Sequence, residues 1–211
     1  AEEIVNTLKT LKEVKRVNIA GSARRMKETI GDIDILVTSQ NPAKVIEFFT
    51  KMPSVAQVLA KGSTKSSVRL KEGIQVDLRV VDDKIFGAAL LYFTGNQQHS
   101  IILRRMAIER GLKLSEYGLF DRKNDKLIAG KTEEEIYKKL GLSYIEPELR
   151  EDEGEIEASQ LGSLPKVIGY DCIKGDLQMH TEWSDGSNTV EEMTLAAKKL
   201  GHEYICITDH S

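Results

Sequence analysis

Gly31-Asp32-Ile33-Asp34-Ile35-Leu36-Val37 is the stretch whose reading decides the fold. Ile, Leu and Val around two acids predict a β-strand, and side chains on a strand alternate between faces. Asp32 and Asp34 therefore share one face, while Ile33 and Ile35 enter a core. Two carboxylates about 7 Å apart along a rigid strand can hold hard cations such as Mg2+. Upstream stand Gly21-Ser22, followed by Arg24 and Arg25. Gly21 lets the backbone approach a phosphate and its N–H groups form an anion nest, Ser22 can donate a hydrogen bond, and Arg25 can fork onto phosphate oxygens. Downstream, Ile74, Val76, Leu78 and Val80 alternate with Gln75, Asp77 and Arg79, which predicts a strand with a third carboxylate on its polar face. Asp-x-Asp alone is more often a solvated strand face than a metal site, and a lone Gly-Ser says less. The order and spacing of the whole set point to metal-assisted phosphoryl chemistry.

The chain has 211 residues, enough for one or two domains, with 40% hydrophobic and 30% charged residues, as in a soluble globular protein. No apolar run approaches the roughly 20 residues of a membrane span, and the amino end opens on a polar, acidic helical segment rather than a signal peptide. Cys172 and Cys206 lie far apart without CxxC spacing, so no disulfide framework is expected, and a reducing cytosol is the default. Charge is uneven. Residues 1–150 carry 26 Lys and Arg against 20 Asp and Glu, whereas residues 151–211 carry 4 against 13. This split suggests two modules with different partners. The basic excess of the first suits a polyanion but supports only weak, salt-sensitive binding by itself.

Periodicity predicts a helix over residues 2–15, a strand from Arg16 to Ala20, a short helical turn from Ala23, and a helix over 43–51 opened by Asn41-Pro42. Strands follow over 55–60 and 66–70, with Glu72-Gly73 as a hairpin turn. Helices over 85–93 and 97–109, short strands between Leu112 and Asp121, and a helix from a Thr132–Glu135 capping box complete the first module. Residues 146–163, acidic with scattered Pro, Gly and Ser, read as a linker. A strand–helix–strand unit follows over 175–180, 190–200 and 203–208.

Five motifs in order, Gly21-Ser22-Ala23-Arg24-Arg25, Gly31-Asp32-Ile33-Asp34, Val76-Asp77-Leu78-Arg79, Tyr92-Phe93-Thr94-Gly95 and Glu116-Tyr117-Gly118, resemble the family X DNA polymerases, closest to their bacterial and archaeal branch. The resemblance covers about residues 1–150. It implies DNA synthesis from dNTPs with Mg2+ or Mn2+, for short-gap filling in repair. Carried over position by position, it implies that Asp32 and Asp34 ligate both metals, and that Asp77 ligates the catalytic metal and acts on the primer 3′-hydroxyl. Gly21, Ser22 and Arg25 would contact the triphosphate, with a backbone N–H from Gly31. Tyr92, Phe93 and Gly95 would line the sugar and base pocket, Arg104 would reach the template, and Arg79 is a further DNA contact. Ser100 stands where a vertebrate relative of this family has an Asn that reads the minor groove, and Gln75 replaces an Arg beside the third Asp. Both departures imply altered fidelity or metal preference. His99 reads as a packing or surface residue rather than a ligand.

Gly175-Asp176-Leu177-Gln178-Met179-His180-Thr181, Trp183-Ser184-Asp185-Gly186 and Ile207-Thr208-Asp209-His210-Ser211 resemble the opening of a polymerase and histidinol phosphatase (PHP) domain. That family implies a trinuclear metal site for phosphoester hydrolysis, such as 3′→5′ exonuclease activity. His180, Asp185 and His210 match ligand positions, while Gln178 stands where many PHP domains have His. The barrel is incomplete here, so the PHP metals, Zn2+ or Mn2+, are not expected to be held, and the stretch is expected to be inactive alone. Only one helix precedes Gly21, where family members usually carry a helix-hairpin-helix domain, so truncation is expected at both ends. The expected fold class is α/β (α+β): a nucleotidyltransferase palm over 1–83 with a mixed β-sheet and flanking helices, a small helical/β subdomain that binds the dNTP and nascent base pair over 84–150, an acidic linker over 151–170, and an incomplete β/α barrel start over 171–211. Expected partners are primer-template or gapped DNA and dNTPs, with no membrane, in a cytoplasmic, nucleoid-associated setting. Two alternatives remain: a nucleotidyltransferase acting on small molecules or RNA ends, which would lack Tyr92 to Gly95 and Glu116 to Gly118, and a non-catalytic DNA-binding module, against which three clustered carboxylates argue through their repulsion.

Overall fold

A computed structural model describes residues 1–169 and 172–211, in two compact units, Ala1–Pro165 and Lys166–Ser211. Unit 1 is built on a five-stranded mixed sheet in the order β1-β2-β5-β4-β3, with β1 Val14–Ile19, β2 Asp32–Ser39, β3 Val55–Lys61, β4 Lys65–Leu70 and β5 Gln75–Val81. The central pair β2 and β5 runs parallel, with Asp34 opposite Asp77 and Leu36 opposite Arg79. The other neighbours are antiparallel.

Strand alternation sorts the two faces. Ile33, Ile35 and Val37 from β2, with Val76, Leu78 and Val80 from β5, bury against α1 (Glu2–Lys9) and α3 (Pro42–Thr50) through Leu8, Val45, Ile46 and Phe49. Asn41 caps α3 by accepting a hydrogen bond from Lys44 N–H at 3.2 Å, and Pro42 sits where a missing N–H costs nothing. On the opposite face Leu36 packs under α4 (Phe86–Thr94) with Phe86, Ala89 and Leu90. That face is thus covered at one end by α4, with Asp32 and Asp34 towards the other.

α4 is apolar nearly all round and buries its remaining face, through Ala88 and Leu91, in a second core. That core gathers α5 (Gln97–Glu109), the three-stranded sheet β6-β7-β8 (Leu112–Ser115, Gly118–Asp121, Leu127–Ala129) and α6 (Glu133–Lys139). β8 was not foreseen from the sequence. At the start of α6 the Thr132 hydroxyl caps the Glu135 N–H, but the Glu135 carboxylate accepts from Lys131 N–H, so only half of the expected capping box forms.

The acidic stretch expected to be a linker is a correction. It contains α7 (Glu155–Leu161), whose Ile156 is buried in the second core and whose Ser159 hydroxyl donates to Ser143 C=O at 2.9 Å. Its acids mislead because Glu155 is itself buried, accepting from Asp152 and Glu153 N–H and from His99. The carboxylate can only accept, so it sets the tautomer: His99 Nδ1–H donates to Glu155 at 2.7 Å, and Nε2 accepts from Tyr137 OH at 2.8 Å. His99 is fully buried, as a packing residue and not a ligand.

In unit 2, β9 (Gly175–Met179) and β10 (Tyr204–Ile207) pair in parallel, joined through α8 (Val190–Lys199). This is the strand–helix–strand unit predicted. α8 opens on a full capping box between Thr189 and Glu192. Tyr170 and Asp171, at the predicted junction, lie outside the described residues.

Burial holds the His99 imidazole below its ordinary pKa, and the Arg150 charge adds to this against the pull of Glu155. An unfolded chain takes up this proton near pH 6.5 and the folded one does not, so stability falls as pH drops through that value. The slope is up to about 1.4 kcal/mol per pH unit. Chemical denaturation between pH 7.5 and 5.5 should show the stability of wild type falling relative to that of His99→Asn as pH drops.

Candidate active site on the sheet of unit 1

The site grows from the turn that leaves β1. Ala20 N–H donates to Asp34 C=O at 2.8 Å, which ties the end of β1 to the start of β2. The chain then enters α2 (Gly21–Arg24) directly, with Gly21 at φ +63°. A Cβ at Gly21 would stand 2.5 Å from Asp34 Oδ2, so glycine is required both by its left-handed backbone and by the carboxylate beside it. Gly21 is thereby set against Asp34, and Ser22 follows it in α2. At Gly31 a Cβ would meet no atom within 4 Å, so this exposed glycine borders open space.

Asp34 and Asp77 face each other across the parallel pair, and Asp32 lies two residues earlier on the same face. The three acids thus converge on one end of one sheet. The Asp34 carboxyl is pushed up to about 6, first by partial burial and then by the charges of Asp32 and Asp77. Arg79 and Lys65 act in the opposite direction. Gln75 donates to Asp77 Oδ1 at 3.0 Å, and Lys65 Nζ stands 3.9 Å from its other oxygen. Clustered carboxylate oxygens that repel one another suit a small, hard divalent cation, and Asp32, Asp34 and Asp77 are the residues that could hold it.

The remaining sequence-predicted residues are placed as follows. Phe93 packs edge-on to Tyr92 at 5.1 Å between ring centroids, and the Arg79 guanidinium lies 4.3 Å from the Phe93 centroid. Arg79 and Phe93 are therefore one stacked unit beside the acids. Tyr92 is 40% exposed, enough to offer a face to a ligand. Arg104, half-buried, donates from Nε to Ser100 C=O on its own helix and lines a small cavity with Tyr92, Ser100, Leu114 and Ser115. Gly95, at φ +71°, ends α4.

The two arginines after Ser22 have different surroundings. Arg24 is structural. Its guanidinium binds the buried Glu133 carboxylate at 2.6 and 2.9 Å and Thr94 Oγ1 at 2.7 Å, and Arg150 holds Glu133 from the other side at 2.6 Å. Burial alone would raise the Glu133 pKa, but the two arginines outweigh it and hold the carboxyl below its usual value. Arg25 instead pairs with Glu151 at 2.7 Å and donates to Thr94 C=O. Glu151 also accepts from Asn96 Nδ2 at 3.2 Å. Sequence reasoning missed Glu133, Glu151 and Asn96. Only the Thr132 cap beside Glu133 was a signal, and Glu151 was lost in the stretch read as a linker.

In unit 2, His180, Asp185 and His210 bring ligand atoms within 4.8 Å of one another. His180 Nδ1 is buried without a hydrogen-bond partner, 3.5 Å from Asp185, and the two imidazoles stack at 4.7 Å. Asp209, next to His210, is fixed by Thr181 and Ser184, which aligns the two strand ends. An orphaned imidazole nitrogen beside a carboxylate and a second imidazole fits a metal such as Zn2+. Gln178 is exposed and lies outside this group.

Comparison with known proteins matches separate families to unit 1 and unit 2. A DNA polymerase beta palm model matches residues 1–110, a DNA polymerase beta thumb model residues 89–151, and a PHP domain model residues 176–211. Over its whole length the chain is 38% identical to DNA polymerase/3'-5' exonuclease PolX of Bacillus subtilis (strain 168), of which it covers 37%. It is 30% identical over 62% of its length to rat DNA polymerase lambda, and 27% identical over 68% to chicken DNA nucleotidylexotransferase, covering 28% and 37% of those proteins. The chain thus spans roughly a third of the length of these curated relatives. With the palm model matching just over half of its residues, the chain belongs to the family X DNA polymerases.

Proposed function

We propose that unit 1 transfers a nucleotidyl group from a dNTP to a primer 3′-hydroxyl, in short-gap filling during DNA repair. The observation that carries this reading is the convergence of Asp32, Asp34 and Asp77 on one sheet end, against the Gly21-Ser22 turn. The relatives, a DNA polymerase/3'-5' exonuclease and DNA polymerase lambda, suggest the substrate class.

Asp32, Asp34 and Asp77 hold Mg2+ or Mn2+. When bound, such ions lower the pKa of the attacking hydroxyl and neutralise charge on the leaving pyrophosphate. Asp77 orients the primer terminus, and Gln75, which donates to it, keeps its carboxylate in place. Gly21 and Gly31 offer backbone N–H groups, Ser22 its hydroxyl and Arg25 its guanidinium to the triphosphate. Tyr92, Phe93 and Gly95 bound the sugar and base, with Arg79 fixing the Phe93 ring. Arg79 and Arg104 face DNA, Arg104 on the template side. Gapped DNA and dNTPs are the partners, and the setting is the cytoplasm at the nucleoid. No helix among the described residues is long and apolar enough to cross a membrane. Contrary to the expectation that no PHP metal is held, the three ligand side chains of unit 2 would suit one Zn2+ or Mn2+.

Primer extension on gapped DNA should fall by about a hundredfold or more in Asp77→Ala, the several kcal/mol that charge stabilisation at such a site contributes. Equal activity in wild type and variant would sink the catalytic assignment. Asp34 carries a second expectation. Its folded pKa lies above the unfolded value near 3.9, so it stabilises the fold at low pH and loses that contribution as pH rises through about 6. At pH 7.5 without divalent metal, Asp34→Asn should therefore be more stable than wild type, by about 1 kcal/mol for a half-exposed, water-screened carboxylate. Added Mg2+ should raise the melting temperature of wild type and leave that of the variant unchanged. For unit 2, equilibrium dialysis of the chain against Zn2+ should find a single ion dependent on His180 and His210, and three tightly held ions would contradict the assignment.

A further inference from the structure

Glu151 belongs to no motif, yet it lies where both ends of the proposed nucleotide site meet. Its Oε1 accepts from Arg25 Nε at 2.7 Å, and its Oε2 accepts from Asn96 Nδ2 at 3.2 Å. Lys27 Nζ stands 3.7 Å from the same Oε2. Arg25 follows the Gly21–Arg24 turn at the phosphate end, and Asn96 follows the Tyr92–Gly95 segment at the sugar end. The Arg25 guanidinium also donates from Nη1 to Thr94 C=O. Two of its three nitrogens are thus held by the protein, and Nη2 has no protein partner among the described residues. The space around this guanidinium is tight, since a Cβ on Gly95 would come within 3.3 Å of Nη1. Both partners of the ion pair are mostly buried, with 13% and 19% of their side chains exposed.

Resting on the nucleotidyl-transfer reading above, we propose that Glu151 is a positioning residue: it locks the Arg25 guanidinium so that its free Nη2 edge meets the triphosphate of the incoming dNTP, and ties that arginine to the Asn96 turn at the sugar end. A long arginine left free would lose rotamer entropy on binding an anion, whereas one already fixed by a carboxylate and a carbonyl loses little. Glu151 also removes only part of the arginine's charge, because Lys27 lies beside the same carboxylate.

The test is a double-mutant cycle on the 211-residue chain, reading the dissociation constant of Mg2+–dTTP by calorimetry and the KM and kcat for dTTP in primer extension. Arg25→Ala and Glu151→Ala should each weaken dTTP about tenfold. The double variant should be no weaker than Arg25→Ala alone, because Glu151 acts only through Arg25. In extension the loss should fall on KM, with kcat nearly unchanged. Glu151→Gln, whose amide oxygen still accepts from Arg25, should recover most of the affinity, and it carries the test if Glu151→Ala does not fold. Full additivity, an unchanged dTTP affinity in folded Glu151→Ala and Glu151→Gln, or a loss confined to kcat would overturn the inference while Arg25→Ala still binds weakly. If Arg25→Ala binds dTTP as wild type does, or wild type binds none, the nucleotide reading itself fails and the inference falls with it.

Discussion

Parallel pairing of β2 with β5 places like charges opposite each other, and the arrangement of unit 1 follows from that costly choice. Asp34 faces Asp77, and Asp32 adds a third charge on the same face. The sheet tolerates this because Ile33, Ile35, Val76 and Leu78 on its other face bury into a continuous core with α1 and α3. The registry is set by that hydrophobic face, since a slip of one residue would turn every acid inward. Partial burial first, and then the charges of Asp32 and Asp77, raise the Asp34 pKa, a local cost of the kind found where a group is arranged for ligand binding rather than for stability.

Around this sheet end, two neighbouring arginines divide the work. Arg24 turns into the protein, where Glu133 and Arg150 complete a buried network with Thr94 and Tyr144. Losing one member of such a network leaves an uncompensated buried charge, at a cost of about 3–5 kcal/mol, so Arg24 fastens α2 to α6. Arg25 is enclosed to a similar degree, and its partner Glu151 lies on the chain just before α7. The docking of α7 through His99, Tyr137 and Ile156 therefore bears indirectly on how the Arg25–Glu151 pair is held.

Much of this was legible in residue order. Alternation in β2 and β5 gave the shared face of Asp32, Asp34 and Asp77, and the Asn41-Pro42 pair gave the start of α3. The acidic stretch misled because a helix that buries only Ile156, Glu155 and Ser159 shows too few apolar positions to mark its periodicity. β8 escaped notice because its three residues pair on one side only, with β7. Glu151 and Asn96 carry no motif, and only their meeting with Arg25 marks them.

The amino-acid sequence by itself determined the alternating strands, the glycine at Gly21 and the motifs that assign the family, because each is a local property of neighbouring residues. Only the tertiary structure decided that β5 rather than β3 lies beside β2, that Arg24 meets Glu133 while Arg25 meets Glu151, and that Glu151 joins Arg25 to Asn96. Those outcomes depend on contacts between residues as much as 126 positions apart. Burial and charge pairing, which select one partner among many acids and arginines, exist only once the chain has folded.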